Sequence, residues 1–112
     1  VVILSGGTGN PYFSTDTAAM LRASEIHADV LLMAKNVDYI YTDDPRTNPD
    51  AKPLKHIKAS EVLAMNLKAM DATATAFCLS AGMPIKMFGL NTPEDILRAV
   101  KGEIVGTVIS AE

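Results

Sequence analysis

The chain has 112 residues, 48% of them hydrophobic, and a net charge of −3, a balance too apolar for a disordered chain. Its ten Lys and Arg residues are scattered rather than clustered, which argues against nucleic-acid or membrane-surface binding, and no apolar run approaches the roughly 20 residues of a membrane helix. The one cysteine, Cys78, cannot close an internal disulfide and suits a reducing compartment, so with no secretory signal pattern the expected location is the cytoplasm.

Val1 to Leu4, apolar without alternation, reads as a short buried strand of the kind covered on both faces in parallel sheets. A glycine-rich loop follows. Ser14 or Asp16 then caps a helix expected to run to about His27, with Ala19, Ala23 and Ile26 as its buried stripe. "ADVLLMA", residues 28–34, is the second strand. From Lys35 to Ile57, three prolines, four aspartates and two asparagines predict an ordered excursion rather than packed structure. Ser60 is the expected cap of the next helix, with Leu63, Leu67 and Met70 on one face. "DATATAFCLSAG" predicts another helix, closed by Gly82 in a left-handed cap with Pro84 just beyond. Ile85 to Leu90 is a third strand. "NTPEDILRAVKG" then carries Thr92 as cap, Pro93 in the first turn, Asp95 reaching back and Gly102 as stop. Thr107 to Ser110 is a last short strand, expected near a sheet edge.

Strands alternating with helices require right-handed crossovers. The expected architecture is therefore α/β, a three-layer sandwich with a mainly parallel sheet, over one domain or part of one spanning residues 1–112. Open sheets of this kind bind ligands at the carboxyl ends of their strands, where the stretch "SGGTGNPYFSTDTAAM" sits. Glycines at 6, 7 and 9 let the backbone approach a ligand closely, and the following helix aims unpaired N–H groups at the loop. Asn10, Ser14, Thr15 and Thr17 add neutral donors. The loop is a candidate cradle for a phosphate or carboxylate, or else an ordinary strand-to-helix turn. Neither a Gly-Lys-Ser/Thr nor a G-x-G-x-x-G phosphate fingerprint is present.

The string "GGTGNPYFSTDTAA" closely resembles the uridine monophosphate-binding loop of bacterial uridylate kinases, members of the amino acid kinase superfamily. The resemblance continues through "EIHADVLLMAKNVDYIYTDDP", "EVLAMNLKAMDATA", "MPIKMFGLN" and "VGTVIS", in the family's order. It corresponds to the carboxyl-terminal half of such chains. The amino-terminal half of the family carries a first phosphate-binding glycine motif and a phosphate-contacting lysine, which these 112 residues do not include.

The resemblance implies a kinase that transfers the γ-phosphoryl of ATP to UMP, giving UDP and ADP, in pyrimidine nucleotide biosynthesis, with Mg²⁺ accompanying the ATP. It places Thr8, Gly9, Asn10, Pro11, Tyr12, Phe13, Ser14 and Thr15 around UMP, with Tyr12 and Phe13 alternatively pinning the loop onto the sheet. It places Asn36, Tyr41 and Asp44 at ATP, the tyrosine ring beside adenine. Asp71 corresponds to an aspartate implicated in arranging the reacting phosphates and is the candidate catalytic group; the other reading is a cap between two helices. The family usually has glycine where Tyr39 stands, so a turn needing positive φ there would be strained. No metal-ligand spacing involves His27 or His56. Intact family members are hexameric and regulated by GTP and UTP, so a homo-oligomer is expected.

Two alternatives accompany this reading. An acyl-phosphate-forming branch of the superfamily fits "GTGNPYFSTD" less well than the nucleotide branch. A non-catalytic nucleotide- or anion-binding piece, or a self-associating structural one, is the other. The chain opens inside an apolar run without an initiator methionine, which suggests a piece of something longer, catalytically silent alone and prone to associate through an unpaired strand edge.

Overall fold

The computed structural model describes residues 1–68, 70–103 and 105–111. Its elements in chain order are α1 (Thr15–Glu25), β1 (Leu31–Lys35), β2 (Ile40–Tyr41), β3 (Pro53–Leu54), β4 (His56–Lys58), α2 (Ala59–Ala64), α3 (Ala72–Ala81), β5 (Ile85–Gly89), α4 (Glu94–Val100) and β6 (Thr107–Ser110). Four strands form one sheet in the order β1-β5-β6-β4, and β2 and β3 form a separate two-stranded ribbon.

Two of the three ladders in the large sheet are parallel. β1 runs alongside β5 with Leu31 opposite Ile85 and Lys35 opposite Gly89, and β4 runs alongside β6. β5 and β6 are antiparallel, pairing Ile85 with Ile109. Alternation along β5 sorts its two faces. Ile85 and Met87 point into a core shared with Met33, Ile57 and Ile109 and with Met20, Ala74 and Cys78 of the helices. Phe88, on the opposite face, is also buried, and α4 packs on this sheet against β1 and β5. Helix layers on either side of a mostly parallel sheet give the expected α/β sandwich.

The helices end where their chemistry dictates. Ser14 has extended backbone and its hydroxyl accepts the Thr17 N–H at 3.3 Å, opening α1. Asp71 opens α3 by accepting the Ala74 N–H at 2.7 Å, and Gly82 closes it at φ 68°. Ahead of α4, the Asp95 carboxylate accepts the N–H groups of Asn91 and Thr92 at 2.9 and 3.0 Å, and Thr92 provides no side-chain cap.

Several expectations are corrected. Val1 to Leu4 form no strand and are exposed, Leu4 at 55% and the others more; a non-alternating apolar strand needs both faces covered, and no described element covers either. Ile26 is 67% exposed; of the expected stripe Ala23 is buried and Ala19 packs partly against the core, and α1 also buries Thr17, Ala18 and Met20. α2 starts at Ala59, not after Ser60, and the Glu61 carboxylate accepts the Lys58 N–H at 3.0 Å. It stops at Ala64 because Asn66 adopts φ 51°, so Leu67 and Met70 lie beyond it and Leu63 is exposed; Ala69 of the same motif lies outside the described residues. The excursion between Lys35 and Ile57 contains the β2–β3 ribbon and β4. β6 sits inside the sheet rather than at its edge, with Thr107 and Ile109 fully buried. Tyr39 avoids positive φ, which among described non-glycine residues occurs at Tyr12, His27 and Asn66.

β6 is central because it pairs with β5 on one side and β4 on the other, and its Thr107 makes a further connection. Its hydroxyl accepts the Ile40 N–H at 2.9 Å and donates to the Leu54 carbonyl. One buried side chain thus ties both strands of the β2–β3 ribbon to the sheet.

Candidate functional site

The carboxyl end of β1 faces the start of α1. Lys35, the last residue of β1, reaches Asp16 in the first turn of α1, its Nζ lying 3.1 Å from both carboxylate oxygens. α1 and α3 pack together with their first turns adjacent, and Asp71 joins them. Its carboxylate accepts the Ala74 N–H of its own helix, the Ser14 hydroxyl of α1, and the Thr17 hydroxyl at 3.3 and 3.5 Å. The Asp71 carbonyl accepts the Thr75 hydroxyl at 3.0 Å. Asp71 therefore caps α3, as one of the two readings expects, and it also stands beside the end of the glycine loop.

The loop itself is open. Gly6, Gly7 and Gly9 adopt φ of 89°, 65° and 79°, a run that side-chain-bearing residues enter only with strain. A Cβ at any of the three would meet no atom within 4 Å, so the glycines serve backbone conformation and leave space beside the chain. Thr8 and Asn10 brace the turn: the Asn10 N–H reaches the Thr8 hydroxyl at 3.0 Å and that hydroxyl donates to the Asn10 carbonyl at 3.2 Å. Arg22 of α1 folds back to the Gly7 carbonyl at 3.2 Å. Tyr12 and Phe13 are exposed, at 104% and 53%, so they do not pin the loop to the sheet.

Electrostatically, two helix amino termini converge here, each equivalent to a partial positive charge of about half a unit. Two carboxylates, Asp16 and Asp71, oppose them, and Lys35 offsets one. The N–H groups of Thr15 and Asp16 have no partner within the helix. Such a mouth can hold an anion on main-chain donors. Beside Asp71, a cleft of about 380 Å³ opens between α2 and α3, walled by Val62, Leu67 and Met70 with Lys68 at its lining.

The remaining sequence candidates lie along one strand-to-ribbon path. Asn36 is exposed directly after Lys35. Tyr41 ends β2 and meets Tyr39 edge to face, with ring centroids 6.3 Å apart. Asp44 sits in the ribbon's connecting turn, where its carboxylate accepts the Arg46 N–H at 2.9 Å and its carbonyl the Asn48 N–H at 2.8 Å. The neighbouring Asp43 is held below the ordinary carboxylate range, chiefly by the Asn48 side chain. The structure brings Ser14 and Asp71 into contact and pairs Lys35 with Asp16 in the first turn of α1, whereas Tyr41 and Asp44 bond within their own ribbon and turn. Sequence reasoning missed the Lys35–Asp16 pair, the Thr17–Asp71 contact and the Arg22 brace; only Asp16 in a first helical turn gave a signal.

Among the described residues no group of three or more His, Cys, Asp or Glu is arranged to hold a metal ion, and no helix is long and apolar enough to cross a membrane.

The amino acid kinase family profile matches residues 1–89, and the chain belongs to that family. Among solved structures it is similar to UMP kinase from Bacillus anthracis, with 33% identity and a TM-score of 0.88 over 95% of this chain and 44% of that one. It is similar also to UMP kinase from Ureaplasma parvum, at 39% identity and TM-score 0.83, covering 93% of this chain and 45% of the other. Uridylate kinase from Archaeoglobus fulgidus matches at 33% identity and TM-score 0.79, over 90% of this chain and 49% of that one. The chain thus spans a little under half the length of these relatives.

Proposed function

We propose that residues 1–112 form the acceptor side of a UMP kinase, an enzyme that moves the γ-phosphoryl of ATP to UMP to give ADP and UDP. The single observation that carries this is the contact of Ser14, at the end of the glycine loop, with Asp71 at the start of α3. It sets the main-chain donors of Thr8 to Thr15 and a carboxylate at one mouth, beside the strand end where α/β sheets take their ligands. The 33–39% identity to UMP kinases supports the choice of nucleotide.

In this reading the UMP phosphate lies on the backbone of Gly9 and Asn10 and on the first-turn N–H groups of α1, with Tyr12 and Phe13 left exposed to cover the nucleoside. Asp71 is a catalytic residue that orients the reacting phosphates. Asn36 after β1, Tyr41 at the end of β2 and Asp44 in the β2–β3 turn contact ATP. Phosphoryl transfer asks mainly for positioning of two anions in line and for neutralisation of charge. Magnesium supplies part of that neutralisation when bound with ATP. The residues fit an ion carried chiefly on nucleotide phosphates, with Asp71 the carboxylate facing them, because Mg²⁺ usually keeps several waters and few protein ligands.

Calorimetric titration of the chain with UMP and with ATP tests the reading. UMP binding that is lost in Asn10→Ala or Thr15→Ala supports it; absence of nucleotide binding refutes it. The exposure of Val1 to Leu4 favours a second reading, a self-associating structural piece. Light scattering that shows oligomers without nucleotide binding would select that one.

A further inference from the structure

We propose that Lys35 determines the affinity of the acceptor loop for phosphate, by supplying the counter-charge that Asp16 holds before the nucleotide arrives; this rests on the acceptor reading above. Asp16 in the first turn of α1 and Asp71 at the N-cap of α3 each place a carboxylate at a helix amino terminus that would otherwise attract an anion. Both charges oppose an incoming phosphate. Among the described residues Lys35 is the cation paired with either of them. Its Nζ is 3.1 Å from both Asp16 oxygens, and the two side chains are 23% and 16% exposed, so water screens the pair only in part.

The placement suits a ligand contact as well as an ion pair. Lys35 is the last residue of β1, and its stem runs from the strand's carboxyl end to the first turn of α1. An ammonium has three donors. With Asp16 on one, the others can meet a phosphate seated on the unpaired N–H groups of Thr15 and Asp16. Asp16 competes with that phosphate for the same cation.

A purely structural ion pair and a phosphate counter-charge make opposite predictions for Asp16. Isothermal titration of UMP and of uridine into the 112-residue chain and its Lys35→Met, Lys35→Arg and Asp16→Asn variants separates them. Lys35→Met is expected to weaken UMP about tenfold and leave uridine unchanged, because only the phosphate feels the lost charge. Lys35→Arg stays within about threefold of the parent, and Asp16→Asn tightens UMP about threefold, since the ammonium is freed for the phosphate. If Lys35→Met and Asp16→Asn both weaken UMP, or Lys35→Met weakens UMP and uridine alike, the pair is structural and the proposal is overturned. Equal UMP affinity in the parent and Lys35→Met also overturns it while the acceptor reading stands; no UMP binding by the parent chain removes both.

Discussion

Replacing Asp71 by alanine or by asparagine separates its hydrogen bonds from its charge. Asp71→Ala removes the acceptor for the Ala74 N–H, an N-cap loss of about 1 kcal/mol. It also strips Thr17, only 6% exposed, of the acceptor for its hydroxyl, adding about 1 kcal/mol for a buried polar group left unpaired. Ser14 is exposed, so water replaces its lost partner at little cost. The sum, about 2 kcal/mol, corresponds to a fall in Tm of roughly 10 °C in a domain of this size. Asp71→Asn keeps a good capping oxygen for Ala74, and the two hydroxyls can turn to accept from its amide, so its cost stays below about 0.5 kcal/mol. Thermal and urea unfolding followed by circular dichroism measure both. Equal destabilisation by the two variants, or an alanine variant that melts with the parent, would refute this account of the α1–α3 junction. The asparagine variant then reports on charge alone in nucleotide experiments.

Gly106 has φ 78°, and a Cβ there would lie 2.1 Å from the Met87 carbonyl oxygen and 2.8 Å from Phe88 Cα. Gly106→Ala is therefore expected to cost about 3 kcal/mol or more, against about 1 kcal/mol for Gly102→Ala, whose added Cβ meets nothing within 4 Å; matching midpoints for the two would contradict this. Asp95 is held below the ordinary carboxylate range by the Thr92 and Asn91 N–H groups, so its contribution to stability is present above the unfolded value near pH 4 and fades as pH falls through the depressed folded value. A carbon-detected NMR titration of Asp95 with its midpoint at or above about 3.9 would rule this out. Burial pushes the Cys78 thiol up, and the residue is fully inaccessible with Sγ 3.0 Å from the Met83 carbonyl. It should resist thiol reagents until the chain unfolds, and stability should decline as pH rises past the ordinary thiol range, since the unfolded chain ionises first; prompt stoichiometric labelling of the native protein would contradict it.

Where local chemistry decides structure, the sequence was legible. Ser14, Asp71, Gly82 and Asp95 each act at a helix end as their side chains predict, because a cap depends on neighbours within a few residues. The strands at 31–35, 85–89 and 107–110 were visible as apolar runs between turn residues. What escaped was set by distant partners. The central place of β6 follows from its pairing with β5 and with the distant β4, and its Thr107 hydroxyl bonds Ile40 and Leu54 across long sequence separations. Nothing near Val1 to Leu4 reveals that the described fold leaves this run uncovered. At the site, the glycine loop and Asp71 could be named from residue type and resemblance. Their junction through Ser14 and Thr17, and the pairing of Lys35 with Asp16, depend on how α1, α3 and β1 pack, which periodicity does not specify.

The most direct test of the acceptor site is to follow backbone amide NMR signals of the chain as UMP is added. A cradle at the α1–α3 mouth predicts saturable shifts at Thr8 to Thr15, excepting Pro11, and at the Ala72 to Ala74 amides behind Asp71, with little change in the ribbon at Ile40–Leu54. Saturable shifts confined to that ribbon or to the α2–α3 cleft, or no shifts at all, would contradict it.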